Sequence, residues 1–329
     1  MCTELVDVKL FDKYFMAIYP PLFVILGIVN NVIILFIMIR QICTRKSHQD
    51  HASIYYWCLS TANILACIFS MLPKWFKLVL SFDMNSVSET FCRILPRFLP
   101  YTVSDISVWL VVVLSVDMFM RIYFPVQFKT TMTIKRVYLI IFSLSFTAFM
   151  KNIWYSFENT LIFNTCRFNN NSFVSQYFTS NLSSIISMVF VSILPGGTIF
   201  ILNILIFIKW RKLYPKNKIN PTGEAVSCSQ KTTVKVFLAI SLSFIIFVIP
   251  NFLLLPISNS TIQNPCLNNL INVLSHIATS VFYMTYFINL YFYLLFSKSY
   301  RQELLNIVGK FKVKYFRNST TPSNEFKLC

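Results

Sequence analysis

Long apolar runs alternate with short polar, basic segments along almost the whole chain. Seven runs are long enough to cross a bilayer as helices, which takes about 20 mostly apolar residues. They cover residues 14–39, 54–73, 98–124, 137–157, 185–208, 236–256 and 270–296. The polar stretch 258–265 separates the last two runs as a loop. The pattern predicts an all-α membrane protein built as a seven-transmembrane helix bundle.

Composition favours helices over a membrane β-barrel. Of the 329 residues, 56% are hydrophobic and 12% are charged, whereas about a quarter of the residues in a soluble protein are charged. Barrel strands alternate apolar and polar residues, and the apolar runs show no such alternation. A net charge of +17 could indicate a nucleic-acid-binding protein. Because the basic residues lie between the apolar runs, we expect no nucleic-acid partner.

The distribution of Lys and Arg predicts the direction of the bundle. With the N-terminus placed outside, 21 of these residues fall on the cytosolic side and 8 on the outer side, which follows the positive-inside rule. We therefore expect an extracellular N-terminus at 1–13. A seven-transmembrane domain with a following amphipathic helix is expected at 14–308, and a cytoplasmic tail at 309–329.

Two further patterns fit this direction. Asn170 and Asn259 begin glycosylation sequons in predicted outer loops, so both are candidate glycan acceptors. After the last span, an apolar residue recurs every four positions, at Phe296, Tyr300, Leu304 and Val308. This spacing predicts a short amphipathic helix over 298–308 that lies in the cytosolic membrane interface.

Several short motifs within the runs resemble those of one receptor family. They are Gly27-Ile-Val-Asn-Asn31, Leu59-Ser-Thr-Ala-Asn63, Pro195, Phe244, Pro250 and Asn289-Leu-Tyr-Phe-Tyr293. Over about residues 15–305 the chain resembles the rhodopsin-like (class A) G-protein-coupled receptors, and within them it looks most like the FMRFamide-type neuropeptide receptors of invertebrates. The resemblance implies a multi-pass plasma-membrane protein that contacts lipids, binds an extracellular peptide and signals through a heterotrimeric G protein.

The resemblance also implies where the functional residues lie. Cys92 and Cys166 stand where the family has its extracellular disulfide. A ligand pocket is expected between the outer helix ends, with the candidate residues Tyr101, Ser104, Asp105, Asn251, Leu255, His276 and Tyr283. An activation and polar network is expected at Asn31, Asn63, Ser107, Asp117, Arg121, Pro250, Asn289 and Tyr293. For His276, simple packing is favoured over a role as a pH sensor.

Several positions depart from the family's motifs. Met118 replaces the arginine of the Asp-Arg-Tyr box, Val248 replaces the sixth-span tryptophan, and Leu290 replaces the seventh-span proline. Phe142 stands at the fourth-span tryptophan position, and Asn63 stands where the second span has an acid. The loss of the arginine at Met118 predicts weak or constitutively altered coupling.

Without the arginine of the box, Asp117 needs another partner. Arg121 lies one helical turn farther along, where an i,i+4 ion pair is possible. At an exposed membrane edge such a pair contributes roughly 0.3–0.5 kcal/mol. The alternative is that Arg121 extends to lipid phosphates.

The middle of the third run carries an acid, Asp105. An isolated carboxylate in a span is costly unless it is protonated or paired. Two interpretations are open, namely a ligand anchor or proton-linked switch, and a neutral carboxylic acid hydrogen-bonded inside the bundle. The family's amine-binding acid would fall at Pro100, so an amine site is not expected.

A second polar set matches the family's central sodium site, at Asn63, Ser107, Thr285 and Asn289. Asn63 removes the carboxylate that would supply most of the attraction for sodium. We therefore expect a neutral network of water and side chains that holds the helices together.

Three functions from different classes are compatible with these observations. The leading hypothesis is a ligand-activated, G-protein-coupled receptor. The second is a non-coupling ligand-binding or decoy membrane protein on the same fold, which Met118 and Val248 favour. The third is a channel or transporter with Asp105 as its ion site, and the lack of inverted repeats argues against it. The sequence has no metal-spaced Cys/His cluster and no phosphate loop, so we expect no enzyme, metal or cofactor.

Overall fold

The computed structural model describes residues 8–44, 51–157, 159–163, 165–169, 185–213, 228–258, 265–298 and 300–307. The candidate glycan acceptors Asn170 and Asn259 and the tail 309–329 lie outside this part of the chain. Within it, almost every residue is helical.

The helices that carry the apolar runs follow one another along the chain. They are α1 (Val8–Thr44), α2 (His51–Val79), α3 (Phe98–Tyr123), α4 (Ile134–Asn152), α5 (Leu194–Leu213), α6 (Cys228–Ser258), α7 (Pro265–Met284) and α8 (Asn289–Phe296). Among the described residues, six helical segments are long and apolar enough to cross a membrane. The pair α7–α8, bent by 49°, makes a seventh if it is counted as one span. The predicted all-α, seven-span bundle is confirmed.

Helix α3 is central in the bundle and α4 is peripheral. In the apolar part of the α3 span 61% of the residues are buried, against 17% for the span that begins with α4. The exposed face of α4 carries Phe142 and Phe146, whose rings stack. An apolar face of this kind is suited to lipid, so Phe142, at the family's tryptophan position, is directed toward the membrane.

Helices α1 and α2 approach each other closely at a glycine. A Cβ on Gly27 would lie 2.4 Å from Sγ of Cys67, which is buried. Small residues allow such contacts between membrane helices. The glycine of the first-span motif therefore sets the distance between α1 and α2.

The fifth span changes its winding before its proline. A π-helical segment, Val189–Ile193, precedes α5, and Pro195 lies in the first turn of α5. Proline lacks the N–H that a helix would use, and π-helical segments are frequent at functional sites. In the sixth span, Pro250 lies inside α6.

The seventh span breaks although it lacks the family's proline. Between α7 and α8, the N–H groups of Thr285, Tyr286 and Phe287 donate to carbonyls three residues back. This is the tighter winding of a 3₁₀ turn. Leu290, at the proline position, is buried beyond the break, so contacts with other helices must stabilise the bend.

The helix expected after the last span is present at residues 298 and 300–307. Tyr300 is buried and stacks on Tyr293 with 4.8 Å between ring centroids, and Leu304 packs against the core. Arg301 Nη1 donates to the Leu294 carbonyl at 2.8 Å. At Tyr300 and Leu304 the apolar stripe therefore packs against the bundle, because the helix folds back against α8.

One end of the bundle is covered by a short helix and a hairpin. The helix Glu89–Ile94 precedes α3, and β1 (Asn159–Ile162) pairs antiparallel with β2 (Thr165–Phe168). The Cys92–Cys166 disulfide joins the helix to β2, which confirms the pairing that the resemblance implies. We call this the disulfide end, and we call the opposite end, where Asp117 lies, the Asp117 end.

A carboxylate adds a second connection between the short helix and the hairpin. Glu89 accepts hydrogen bonds from Arg93 Nε and from the Leu161 N–H, both at 2.8 Å. These two bonds, with the Arg93 bond the larger contributor, hold the pKa of Glu89 below its ordinary value.

Candidate functional site

A pocket of about 520 Å³ lies between the helices at the disulfide end. This volume is within the usual range of ligand sites, roughly 300–1,000 Å³. The predicted pocket residues that border it are Tyr101, Ser104, Asp105, Asn251 and Tyr283. Most of the candidate pocket residues are therefore brought together, although they come from three different helices.

Two candidate pocket residues are placed differently. His276 is half-buried on α7 and is not among the residues that border the pocket, whose α7 border begins one turn farther along at Thr279. The side chain of Leu255 lies outside the part of the chain that the structure describes.

The pocket wall contains an ion pair between two of the apolar spans, α3 and α4. Lys151 Nζ on α4 lies 2.7 Å from Asp105 Oδ2 on α3, and Asn152 Nδ2 donates to the same oxygen at 2.6 Å. Asp105 is 3% exposed. An ammonium and an amide donor together offset the cost of burying a carboxylate. This pair is a third arrangement, which differs from both interpretations of Asp105 drawn from the sequence.

Three lysines that border the pocket, Lys74, Lys77 and Lys151, were not among the residues predicted from the sequence. Lys151 interrupts the fourth apolar run, and this charge is the feature of the sequence that points to a partner for Asp105. Lys74 follows the predicted end of the second span at Pro73, yet α2 continues to Val79 and carries Lys74 to the pocket. Because Lys74 lies just beyond the apolar run, the hydropathy pattern does not place it on the helix.

The floor of the pocket is connected to the break in the seventh span. Ser104 Oγ on α3 and the Tyr286 hydroxyl share a hydrogen bond of 2.8 Å. Tyr286 is buried and lies in the 3₁₀ turn between α7 and α8. A group bound on this floor would therefore contact, through one hydrogen bond, the irregular part of the seventh span.

Two asparagines of α1 satisfy carbonyl groups of that break. Asn31 Nδ2 donates to the Tyr286 carbonyl at 2.5 Å and to the Gly27 carbonyl at 2.8 Å. Asn30 Nδ2 donates to the Phe287 carbonyl at 3.2 Å. Irregular backbone inside a membrane requires such partners from neighbouring helices, so these bonds stabilise the bend in place of a proline.

A small cavity of about 20 Å³ lies directly beneath the break, large enough for one water molecule. Asn63, Ser107, Thr285 and Asn289 all border it. Ser107 Oγ donates to Asn63 Oδ1 at 2.7 Å, and Asn63 Nδ2 lies 3.4 Å from Asn31 Oδ1. The four residues that match the family's sodium site thus line one uncharged cavity, which apolar side chains also border.

At the Asp117 end, a second ion pair lies within α3. Arg121 Nε lies 2.7 Å from Asp117 Oδ2, and the Arg121 guanidinium lies over the Phe128 ring at 4.8 Å. Asp117 is 2% exposed. The prediction that Asp117 lies at an exposed edge is therefore wrong. The energy of a surface ion pair underestimates the Asp117–Arg121 pair, because burial reduces screening by water.

Met118 and Val248, which replace the family's arginine and tryptophan, are both part of the apolar core. Met118 and Val248 are buried and belong to the same apolar cluster. On α8, Asn289 and Tyr293 are buried as well, and Tyr293 packs edge-on against Tyr56 of α2. The bundle therefore keeps its packing at both positions although the family's arginine and tryptophan are absent.

These features define the class of the protein: a multi-pass membrane bundle with a disulfide-covered pocket at one end and a buried ionic site at the other. The model of the seven-transmembrane receptor family, the rhodopsin family, matches residues 30–293. The chain belongs to this family, whose members are receptors and not enzymes. A search of curated proteins gave no match.

Proposed function

We propose that the chain is a plasma-membrane receptor for a peptide and signals through a heterotrimeric G protein. The N-terminus and the disulfide end would face the outside, and the Asp117 end would face the cytosol. The excess of Lys and Arg in the loops at the Asp117 end supports this direction. The mixture of phenol, hydroxyl and amide groups on the pocket wall supports a peptide, because these groups combine apolar contact with hydrogen bonding.

The hydrogen bond between Ser104 and Tyr286 is the observation that carries the proposal. It connects the pocket floor to the break between α7 and α8, whose carbonyls are held by Asn30 and Asn31. A ligand that contacts Ser104 can therefore favour one arrangement of the break over another, which is what a receptor requires.

The remaining steps follow from the helices that contain prolines. Pro195 and Pro250 each remove a helix hydrogen bond, so α5 and α6 can bend near them. In the proposed mechanism, ligand binding favours a state in which α5 and α6 move apart at the Asp117 end. The opened groove would receive the C-terminal helix of the G protein, and the basic loops would contact acidic lipid.

One observation favours a second function, that of a membrane protein which binds ligand but does not couple. Met118 is buried in the core and Asp117 is paired with Arg121 within the same helix. This leaves no arginine at the family's position to meet a G protein.

The test is to express the chain in cells and measure second-messenger levels and membrane current during exposure to a peptide library. A ligand-dependent messenger signal supports the receptor, binding without a signal supports the non-coupling protein, and a ligand-dependent current contradicts both. An epitope tag at the N-terminus, detected with an antibody on intact cells, tests whether the N-terminus faces the outside.

The internal mechanism has its own variant. Ser104→Ala is expected to reduce the maximal response more than binding, because it removes the bond to Tyr286. Thr102→Ala is the matched control, since the Thr102 hydroxyl donates to Phe98 of its own helix. Equal effects of the two substitutions would contradict a role for the Ser104–Tyr286 bond.

A further inference from the structure

The pocket at the disulfide end is strongly basic. Among the described residues that border it, the charged ones are Lys74, Lys77, Arg97, Lys151 and a single carboxylate, Asp105. A concave site lined by one sign of charge, with walls of low polarisability, concentrates ligands of the opposite sign.

The one carboxylate is already engaged. Asp105 accepts from Lys151 and from Asn152 on the same oxygen, so a cationic ligand would have to compete with an ammonium at 2.7 Å. At the rim, Lys77 Nζ lies 2.7 Å from Asp83 Oδ2. The geometry therefore disfavours an amine-bearing ligand. An anionic ligand would need a basic residue of the pocket that is not already held in such an ion pair.

Lys74 has the surroundings of such a cation. Its side chain is exposed and borders the pocket. The phenols of Tyr283, Tyr19 and Tyr101 lie within electrostatic range of its ammonium, and those of Tyr101 and Tyr283 border the same pocket. Neutral phenols orient an ammonium but do not neutralise it. Within the part of the chain that the structure describes, no carboxylate forms an ion pair with Lys74.

We infer that the pocket binds an anionic ligand group, the carboxylate of a short peptide, and that Lys74 is its recognition residue. That the ligand is a peptide rests on the proposed function. That it is anionic rests on Lys74. A bound carboxylate would accept from the Lys74 ammonium as a charge-assisted hydrogen bond, stronger than a neutral one. Tyr101, Asn251 and Thr279, which also border the pocket, offer hydrogen bonds to the peptide backbone.

A carboxylate can come from a peptide or from a fatty acid, and the pocket favours the peptide. The phenols of Tyr101 and Tyr283 and the amide of Asn251 lie on the wall, and an acyl chain would offer them no hydrogen bond. Unpaired buried polar groups lower affinity.

The experiment uses the full chain in nanodiscs and in cells. A set of short peptides is made twice, with a free C-terminal carboxylate and as the C-terminal amide, and oleate is added as the fatty-acid probe. Two readouts are taken, the shift of the unfolding temperature of the purified protein and the second-messenger response. We expect the carboxylate forms to raise the unfolding temperature and to bind about 10- to 100-fold more tightly than the amides.

Variants then assign the charge to Lys74. Lys74→Met is expected to abolish the difference between acid and amide forms, and Lys74→Arg to retain most of it. Arg167→Gln is the matched control, because Arg167 is an exposed cation of β2 at the same end that does not border the pocket. A loss of the same size in Arg167→Gln would assign the preference to the general surface charge and overturn the inference.

The outcomes separate this inference from the proposed function. Carboxylate peptides that raise the unfolding temperature through Lys74 without a messenger signal uphold the anion site and contradict signalling. A messenger response to acid and amide forms alike upholds the receptor and overturns the anion site. Stabilisation by oleate alone, or by none of the probes, also overturns it.

Discussion

Lys151 on α4 forms an ion pair with Asp105 on α3, with 2.7 Å between Nζ and Oδ2, inside the wall of the pocket. Burying either charge alone is expensive, whereas the pair with its Asn152 hydrogen bond offsets much of that cost. The two charges that interrupt the third and fourth apolar runs are thus one structural unit.

The first prediction concerns this unit. Asp105→Asn and Lys151→Met should each lower the free energy of unfolding by up to about 3–5 kcal/mol, because each leaves a buried charge without its partner. The double variant should lose less than the sum. Unfolding temperatures of the four proteins in nanodiscs measure the coupling. Lys77→Met provides the surface comparison, since the exposed pair with Asp83 should contribute about 1 kcal/mol or less. Additive losses at Asp105 and Lys151 would contradict the unit.

The spans could be predicted from the sequence because each must present about 20 apolar residues to lipid. The run 98–124 differs from helix α3 (Phe98–Tyr123) by one residue. The aqueous extension of α6 to Cys228 could not be predicted in this way, since a helix in water needs no apolar run.

The pairing of Asp105 with Lys151 could not be predicted from the sequence in the same way. Asp105 and Lys151 are 46 residues apart, and their contact depends on the rotation and relative height of two helices. Hydropathy specifies neither. The pocket residues Tyr101, Ser104 and Tyr283 came from resemblance, which transfers positions on a known bundle. Resemblance could not supply Lys151 or Lys74, because these positions carry no motif.

The second prediction concerns the bend between α7 and α8. Asn31→Ala should lower the free energy of unfolding by roughly 1–3 kcal/mol, since it removes the donor from the buried Tyr286 carbonyl. Asn30→Ala removes a longer bond, 3.2 Å to the Phe287 carbonyl, and should cost less. Thermal unfolding in nanodiscs gives the comparison. A larger loss in Asn30→Ala would contradict the assignment of the main contact to Asn31.

The third prediction is a pH dependence at the hairpin. The pKa of Glu89 is lowered by its bonds from Arg93 and Leu161, so the ionised form stabilises the folded contact. This contribution is present above the unfolded pKa, about 4.3, and is lost as pH falls through the lower folded pKa. Solvent exposure keeps the effect modest.

Hydrogen exchange at the Leu161 amide measures this effect. Its protection factor, corrected for the intrinsic exchange rate, should fall in the parent protein between about pH 5 and 3. In Glu89→Gln it should be lower at neutral pH and nearly constant with pH. A protection factor in the parent that does not change over this range would show that the Glu89 bond does not hold the hairpin.

The fourth prediction concerns the ion pair of Asp117 and Arg121. Arg121→Ala should lower the free energy of unfolding by roughly 1–3 kcal/mol, more than a surface pair, because Asp117 is buried. Restoring the family's arginine with Met118→Arg offers Asp117 a second cation from the adjacent position. The double variant Met118→Arg/Arg121→Ala should therefore recover part of the stability that Arg121→Ala loses.

The same variants test whether this pair restrains coupling. At equal surface expression, basal messenger levels are compared in the parent, Arg121→Ala, Met118→Arg and the double variant. Lys129→Ala serves as the control, because Lys129 is an exposed cation on the neighbouring short helix Pro125–Thr131. We expect Arg121→Ala to raise the basal level, since it removes the Arg121 cation from the Asp117 carboxylate, and Met118→Arg to increase the ligand response, since it restores a cation at the box. Identical levels in all five proteins would show that the Asp117 pair has no part in coupling, and the buried ion pair would then be a structural feature of α3 alone.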